Sequence, residues 1–149
     1  MTITPLPLET RAGLGFTHKV TITHADLTDA DTSQTIAIFP ESGTFPAGTV
    51  VTAAAYNLVT EFDDGEDAIS DMNLYIGDDG STTRWVNAAE VSEKGTAVAF
   101  AASGTYNCYT AANTVDAIFI TTGGNLDTLD TGEVQIYLAV SNLNDLETA

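Results

Sequence analysis

The segment Val134-Gln-Ile-Tyr-Leu-Ala-Val140 places an apolar residue at every second position. In an extended chain this alternation puts one set of side chains on a buried face and the other set toward water. Shorter segments repeat the pattern, namely Val20-Thr-Ile22, Ile36-Ala-Ile38 and Met72-Asn-Leu-Tyr-Ile76. Turn residues such as Asp, Gly, Asn and Ser separate these segments at short intervals. The sequence therefore predicts a protein built from two layers of antiparallel strands.

The predicted strands are short and numerous. They fall at residues 16–24, 34–39, 49–60, 72–77, 83–87, 97–102, 105–110, 115–121 and 133–141. The pattern also allows two short helical turns, at Glu66–Asp71 and Ala88–Glu93. Parallel strands need long crossover connections, usually helices, and the pattern contains none of that length. We therefore expect an all-β protein, a single antiparallel β-sandwich or jelly-roll-like domain.

A length of 149 residues suits one domain. Two prolines and two glycines within residues 1–15 predict an extended N-terminal arm, which precedes a sandwich domain at residues 16–149. The apolar residues of the arm are candidates to lie on a neighbouring subunit: Ile3, Leu6 and Leu8. A loosely held terminus is the alternative interpretation of the same segment.

The charge balance limits the classes of partner. Four Lys and Arg stand against 21 Asp and Glu, which gives a formal net charge of −17. Nucleic acids and anionic membranes attract clustered cations, whereas the basic residues here are scattered singly at Arg11, Lys19, Arg84 and Lys94. We therefore expect no nucleic-acid partner and no membrane partner. The first residues lack the pattern of a secretory signal, so synthesis in the cytoplasm is expected.

Catalytic motifs are missing from the sequence. It contains no Gly-x-Ser-x-Gly elbow, His-Glu-x-x-His motif, phosphate loop or dinucleotide fingerprint. His18 and His24 would lie roughly 20 Å apart on a regular strand, too far to share a metal ion. Cys108 lies in a strand-like segment and is predicted to be a buried, inert thiol. A protein without enzymatic activity is expected, and only the abundance of carboxylates leaves a small hydrolase open.

Two Asp-Asp-Gly turns lie in an acidic part of the sequence that contains no Lys or Arg. Clustered carboxylates repel one another, and calcium relieves that repulsion by binding oxygen ligands. The candidate calcium ligands are Asp63, Asp64, Glu66, Asp67, Asp78 and Asp79. Their spacing differs from the Asp-x-Asp-x-Asp-Gly loop, so solvated turns are the alternative interpretation. No other cofactor is predicted.

Two predicted strands are apolar on both faces, Val50–Val59 and Val115–Ile120. Such a strand is either covered on both sides within its own domain or buried against another subunit. The side chains that would form such an interface are Ala53, Ala55, Ile118 and Ile120.

Four segments together resemble a known class of protein. They are Phe16–Phe39, which is a strand, an acidic turn and a second strand, then Asn73-Leu-Tyr-Ile-Gly-Asp-Asp-Gly80, Val115–Gly124 and Leu129–Val140. Their succession resembles the small β-sandwich structural proteins of tailed bacteriophages, especially head decoration or cement proteins. The resemblance spans residues 16–141 and consists of strand and turn patterns.

The resemblance implies a virion protein that binds the major capsid protein on the capsid exterior and stabilises the head. It also implies a homo-oligomer, with a trimer favoured, and it transfers no catalytic residues. Other phage components of similar build, in the tail, neck or head fibres, remain open, as does a calcium-dependent binding or adhesion module.

Overall fold

The computed structural model describes residues 1–7, 15–92, 100–101 and 107–148. Its strands are β1 (Thr2–Pro5), β2 (His18–Thr23), β3 (Ser33–Phe39), β4 (Thr49–Asp63), β5 (Asp71–Asp78), β6 (Ser81–Glu90), β7 (Phe100–Ala101), β8 (Asn107–Cys108), β9 (Val115–Thr122) and β10 (Thr131–Asn142). The described residues also contain short 3₁₀ turns at His24–Asp26, Leu126–Thr128 and Leu143–Thr148. This part of the chain has no helix that is long and apolar enough to cross a membrane.

The described strands form two antiparallel sheets packed face to face. The larger sheet has the order β1-β2-β10-β4, and both β7 and β8 pair with β4. The smaller sheet has the order β3-β9-β5-β6. The prediction of an all-β sandwich is confirmed.

Strand β10 holds the centre of the larger sheet because it pairs with β2 on one side and β4 on the other. Ile136 lies opposite Val20 of β2 and Tyr56 of β4, and all three side chains are buried. The next residue, Tyr137, points to the outer face of the sheet. The alternation seen in the sequence therefore becomes the division between the core and the outside of the sandwich.

One continuous core fills the space between the sheets. The larger sheet supplies side chains such as Val20, Ile22, Val134, Ile136 and Leu138, and the smaller sheet supplies Ile38, Met72, Leu74, Ile76, Ala117 and Phe119. Trp85 of β6 is also in this core, with 3% of its surface exposed. Its indole Nε1 is buried and has no hydrogen-bond partner in the described part of the chain.

Neither predicted helical turn forms in the described residues. Residues 65–67 are bends followed by irregular chain, and β5 begins at Asp71. Ala88 lies within β6, where its positive φ of 52° and a register shift mark a β-bulge. The predicted helical turn at Glu66–Asp71 was therefore wrong. The predicted turn at Ala88–Glu93 was wrong for its described residues, which end at Ser92, and Glu93 lies outside them. A single helical turn is too short to compete with pairing along β5.

The first residues of the chain belong to the larger sheet. Ile3 of β1 pairs with Val20 of β2 and packs against the core, and the Met1 ammonium group forms an ion pair with Asp26. The Leu6 N–H donates to the Thr17 carbonyl oxygen at 2.8 Å. The segment that the sequence predicted as an arm thus starts as an edge strand. Leu8 lies outside the described residues.

Gly132 of β10 lies in close contact with Phe62 of β4, where only glycine fits. Its φ is +142°, and a Cβ atom placed there would lie 2.1 Å from a ring carbon of Phe62. We expect Gly132→Ala to destabilise the protein by about 2–4 kcal/mol, because both the backbone and the buried ring must move. Urea denaturation followed by circular dichroism measures this loss.

Gly43→Ala is the matched control. Gly43 also has a positive φ, +69°, but a Cβ atom there would meet no other atom within 4 Å. We expect a loss of about 1 kcal/mol from the backbone conformation alone. Equal losses for the two variants would contradict the contact with Phe62.

Candidate interaction surfaces

The outer face of the larger sheet carries a small apolar cluster that the chain itself covers. Its buried members are Phe16, Ala55 and Ala139, and the half-buried side chains packed on them are Leu6, Ala53 and Tyr137. The rings of Phe16 and Tyr137 lie 6.0 Å apart, centroid to centroid. Ala55 is only 3% exposed. Leu6 and Phe16 of the same chain therefore cover the outer apolar face of β4 around Ala55.

The outer face of the smaller sheet is organised differently, around its central strand β9. We call this surface the β9 face. It consists of the outward side chains of three neighbouring strands: Ser33, Thr35 and Ala37 of β3, Asp116, Ile118, Ile120 and Thr122 of β9, and Asp71, Asn73 and Tyr75 of β5. Ile118 is half-buried, and Ile120 is 39% exposed.

Strand pairing arranges the β9 face in rows. Ile118 lies between Thr35 and Tyr75, and Ile120 lies between Ser33 and Asn73. Directly paired residues on one face are close enough for their side chains to touch. The sequence indicated Ile118 and Ile120 but not Tyr75, because only the register of β5 against β9 places that ring beside them.

The acidic turn after β4 is held by its own backbone. The Asp63 Oδ1 accepts the Gly65 N–H at 3.2 Å, and the Asp64 Oδ2 accepts the Ile69 N–H at 3.0 Å. Asp64 is 4% exposed. Beside it lies an open cavity of about 320 Å³, whose acidic lining residues are Asp64, Glu66 and Asp130.

Among the residues that the structure describes, no three His, Cys, Asp or Glu side chains are grouped as a metal ion would require. Asp67 has a positive φ of 58°, and both Asp67 and Asp79 are exposed. The calcium site stays a prediction from the sequence.

Asp78 is the most enclosed of the candidate calcium ligands, and its oxygens are bonded within the protein. Its carboxylate accepts hydrogen bonds from Arg84 Nε at 2.5 Å, Arg84 Nη2 at 3.1 Å and the Tyr109 hydroxyl at 2.6 Å. It also accepts the N–H groups of Gly80 and Ser81, both at 2.9 Å. The carboxylate thus closes the β5–β6 turn and joins it to Tyr109, which follows β8 on the larger sheet.

The environment of Asp78 alters two pKa values. Burial opposes ionisation of Asp78, but hydrogen bonds from Arg84, Tyr109 and the turn outweigh it, so its pKa is lowered. Burial, together with the hydrogen bond to Asp78, raises the pKa of Tyr109 well above its usual range. Asp78 is therefore an anion that stabilises the contact between two sheets.

An aromatic cleft opens at one end of the sandwich. It has a volume of about 370 Å³, and its walls include Phe39, Phe45 and Val140. The rings of His18 and Phe39 lie 4.9 Å apart at its edge.

Cys108 of β8 is exposed, so the prediction of a buried thiol was wrong. The short strand β8 pairs with the beginning of β4, at Val50 and Val51, and leaves the Cys108 side chain exposed.

Neither the comparison with protein-family models nor the comparison with curated proteins finds a match. Among solved structures, a chain of the cyanophage Pam1 capsid asymmetric unit has a similar fold, with a TM-score of 0.56. The two chains share 22% sequence identity, over 84% of this chain and 81% of that chain. The protein is a two-sheet β-sandwich. Its fold also occurs in a phage capsid.

Replacing Asp78 by asparagine tests its structural role. We expect Asp78→Asn to destabilise the protein by about 2–3 kcal/mol at pH 7, because the half-buried Arg84 loses its counter-charge and the bonds to the carboxylate are weakened. The lowered pKa of Asp78 means that its contribution is complete above the usual aspartate pKa and is lost as the pH falls through the native-state value. Denaturation curves at several pH values should show the difference between wild type and variant narrowing in acid.

Asp79→Asn is the matched control, since it removes an exposed carboxylate from the adjacent position in the same turn. We expect its effect to stay within about 0.5 kcal/mol. Similar losses for Asp78→Asn and Asp79→Asn at pH 7 would show that the hydrogen-bonded ion pair does not stabilise the fold.

Proposed function

We propose that this protein is a non-enzymatic structural component of a phage virion, most specifically a decoration protein. In this role it binds the major capsid protein on the exterior of the head and stabilises the shell. The observation that carries the proposal is the fold shared with a chain of the Pam1 capsid asymmetric unit over most of both chains. The resemblance of the four sequence segments to phage decoration proteins supports the same assignment.

The charge of the protein suits attachment to a surface of opposite sign. A net charge of −17 keeps free copies apart in solution and favours association with a cationic partner. A capsid repeats the same binding site many times. A symmetric oligomer, with a trimer favoured, would engage several sites at once, so that modest individual contacts add up to slow release.

The polar groups in the core support a structural role. Asp78 is 2% exposed, and its oxygens are bonded to Arg84, Tyr109 and the β5–β6 turn. These bonds fix the geometry of the sandwich and leave the carboxylate no free position toward a substrate. We therefore assign the buried ionisable cluster to stability and propose no reaction for it.

Binding to assembled heads tests the proposal. The purified protein would be mixed with empty heads formed by the major capsid protein of the same genome, and bound protein would be separated by sedimentation. We expect saturable binding at a fixed ratio of copies to capsid subunits, together with a higher melting temperature of the heads. Light scattering of the free protein would give its oligomeric state.

Two controls make the result decisive. Heads already carrying the protein should bind no more of it, and bovine serum albumin should not sediment with bare heads. If the protein fails to bind heads, and antibody labelling of virions places it on the tail or neck, the decoration role is wrong and the broader virion role stands. If labelling finds it on no part of the virion, both are wrong.

A further inference from the structure

The centre of the β9 face is apolar although it lies on a central strand of the sheet. Ile118 is flanked by Tyr75 on β5 and Thr35 on β3, and Ile120 is paired with Asn73 and Ser33 on the same strands. Ile120 is 39% exposed, and Ile118 on the same strand is half-buried. The outer face of the smaller sheet therefore presents Ile120, with parts of Ile118 and Tyr75, to solvent. Contiguous apolar side chains that are exposed and rimmed by polar residues are typical of protein-binding sites.

Both ends of the β9 face are acidic. Asp116 is two residues from Ile118 at one end, and Asp71 is paired with Thr122 at the other. Glu90 of β6, which pairs with Asn73, extends the acidic end near Asp71. Along an extended strand the distance from residue 116 to residue 122 is roughly 20 Å. The face therefore has an apolar centre between two carboxylate groups.

These carboxylates are poorly neutralised within the chain. A hydrogen bond to the Glu90 carboxylate, with burial, raises the pKa of Asp71, and burial with the charges of Asp79 and Asp78 raises the pKa of Asp116. Among the described cations, Lys19 belongs to the larger sheet and Arg84 is bonded to Asp78. The described part of the β9 face thus contains no Lys or Arg. A cation supplied from outside would relieve the repulsion at either end.

A second copy of this chain fits the β9 face poorly. Two such faces packed together would bring carboxylates of both chains into one interface, and each chain carries a net charge of −17. Like charges opposed across an interface oppose binding. A protein surface with an apolar centre and Lys or Arg on either side is complementary in both respects.

We propose that the β9 face is the surface by which this protein docks on the capsid protein, and that the capsid surface it meets is apolar at its centre and basic at both ends. This inference rests on the proposed attachment to the head and names the side of the sandwich that makes it. Ile120 and Tyr75 supply the apolar contact, and Asp71 and Asp116 select a cationic rim.

Substitution of Ile120 tests the apolar centre. The affinity for empty heads of the same genome would be measured by sedimentation for wild type, Ile120→Ser and Val59→Ser. Val59 is the matched control because it is a β-branched residue with 36% exposure on β4 of the other sheet. We expect Ile120→Ser to weaken binding by about tenfold or more and Val59→Ser to leave it within about twofold.

Asp71→Lys tests the acidic rim. This substitution reverses one charge, so it should weaken binding to a basic surface and also reduce the dependence of the affinity on salt concentration. Circular dichroism melting of each variant alone confirms that it is folded. A variant with reduced binding and an unchanged melting temperature has lost the contact and not the fold.

The failures of the two proposals are distinguishable. If wild type does not bind heads, the proposed function fails. If all three proteins bind heads with the affinity of wild type, the proposed function stands and the β9 face is the wrong surface. If Ile120→Ser dissociates an oligomer in light scattering and binds heads normally, the face joins copies of this chain and the docking proposal is overturned.

Discussion

The packing of two sheets through alternate residues is the constraint on which the rest of the molecule depends. β10 pairs with β2 and β4 in a register that directs Ile136, Val20 and Tyr56 into one core. A shift of one residue would turn those side chains to the outside and bring Tyr137 inward. The long pairing of β10 with β4, interrupted by bulges, therefore fixes the outward residues of these two strands as well, and the registers of β9 with β3 and β5 do the same in the smaller sheet. The surface chemistry is a consequence of this register.

The two outer faces of the sandwich carry different apolar groups. On the larger sheet, residues next to the N-terminal segment cover the small apolar patch around Ala55. On the smaller sheet, Ile120 remains accessible between two acidic ends. In the docking role proposed above, Ile120 and its neighbours make the contact, and the acidic ends select a basic partner surface.

Alternation in the sequence was enough to predict the class of fold and most of the described strands, because burial of every second side chain is a local property. It missed β1, which lies in the segment predicted as an arm, and the predicted strands at 97–102 and 105–110 lie partly outside the described residues. It did not distinguish the two strands that are apolar on both faces, since Ala55 and Ile120 follow the same pattern. Their difference depends on where Leu6 and Phe16 lie in three dimensions. The bond between Asp78 and Tyr109 joins residues 31 positions apart and has no signal in the spacing. Likewise, the exposure of Cys108 depends on the pairing of β8 with β4, which is only two residues long.

The position of Trp85 has a practical consequence. The chain has one tryptophan, and that residue is 3% exposed among core side chains from both sheets. Its fluorescence therefore reports the integrity of the space between the sheets without an added dye. Since the indole does not belong to the β9 face, occupation of that face should leave the emission maximum unchanged, whereas separation of the sheets should move it to longer wavelength.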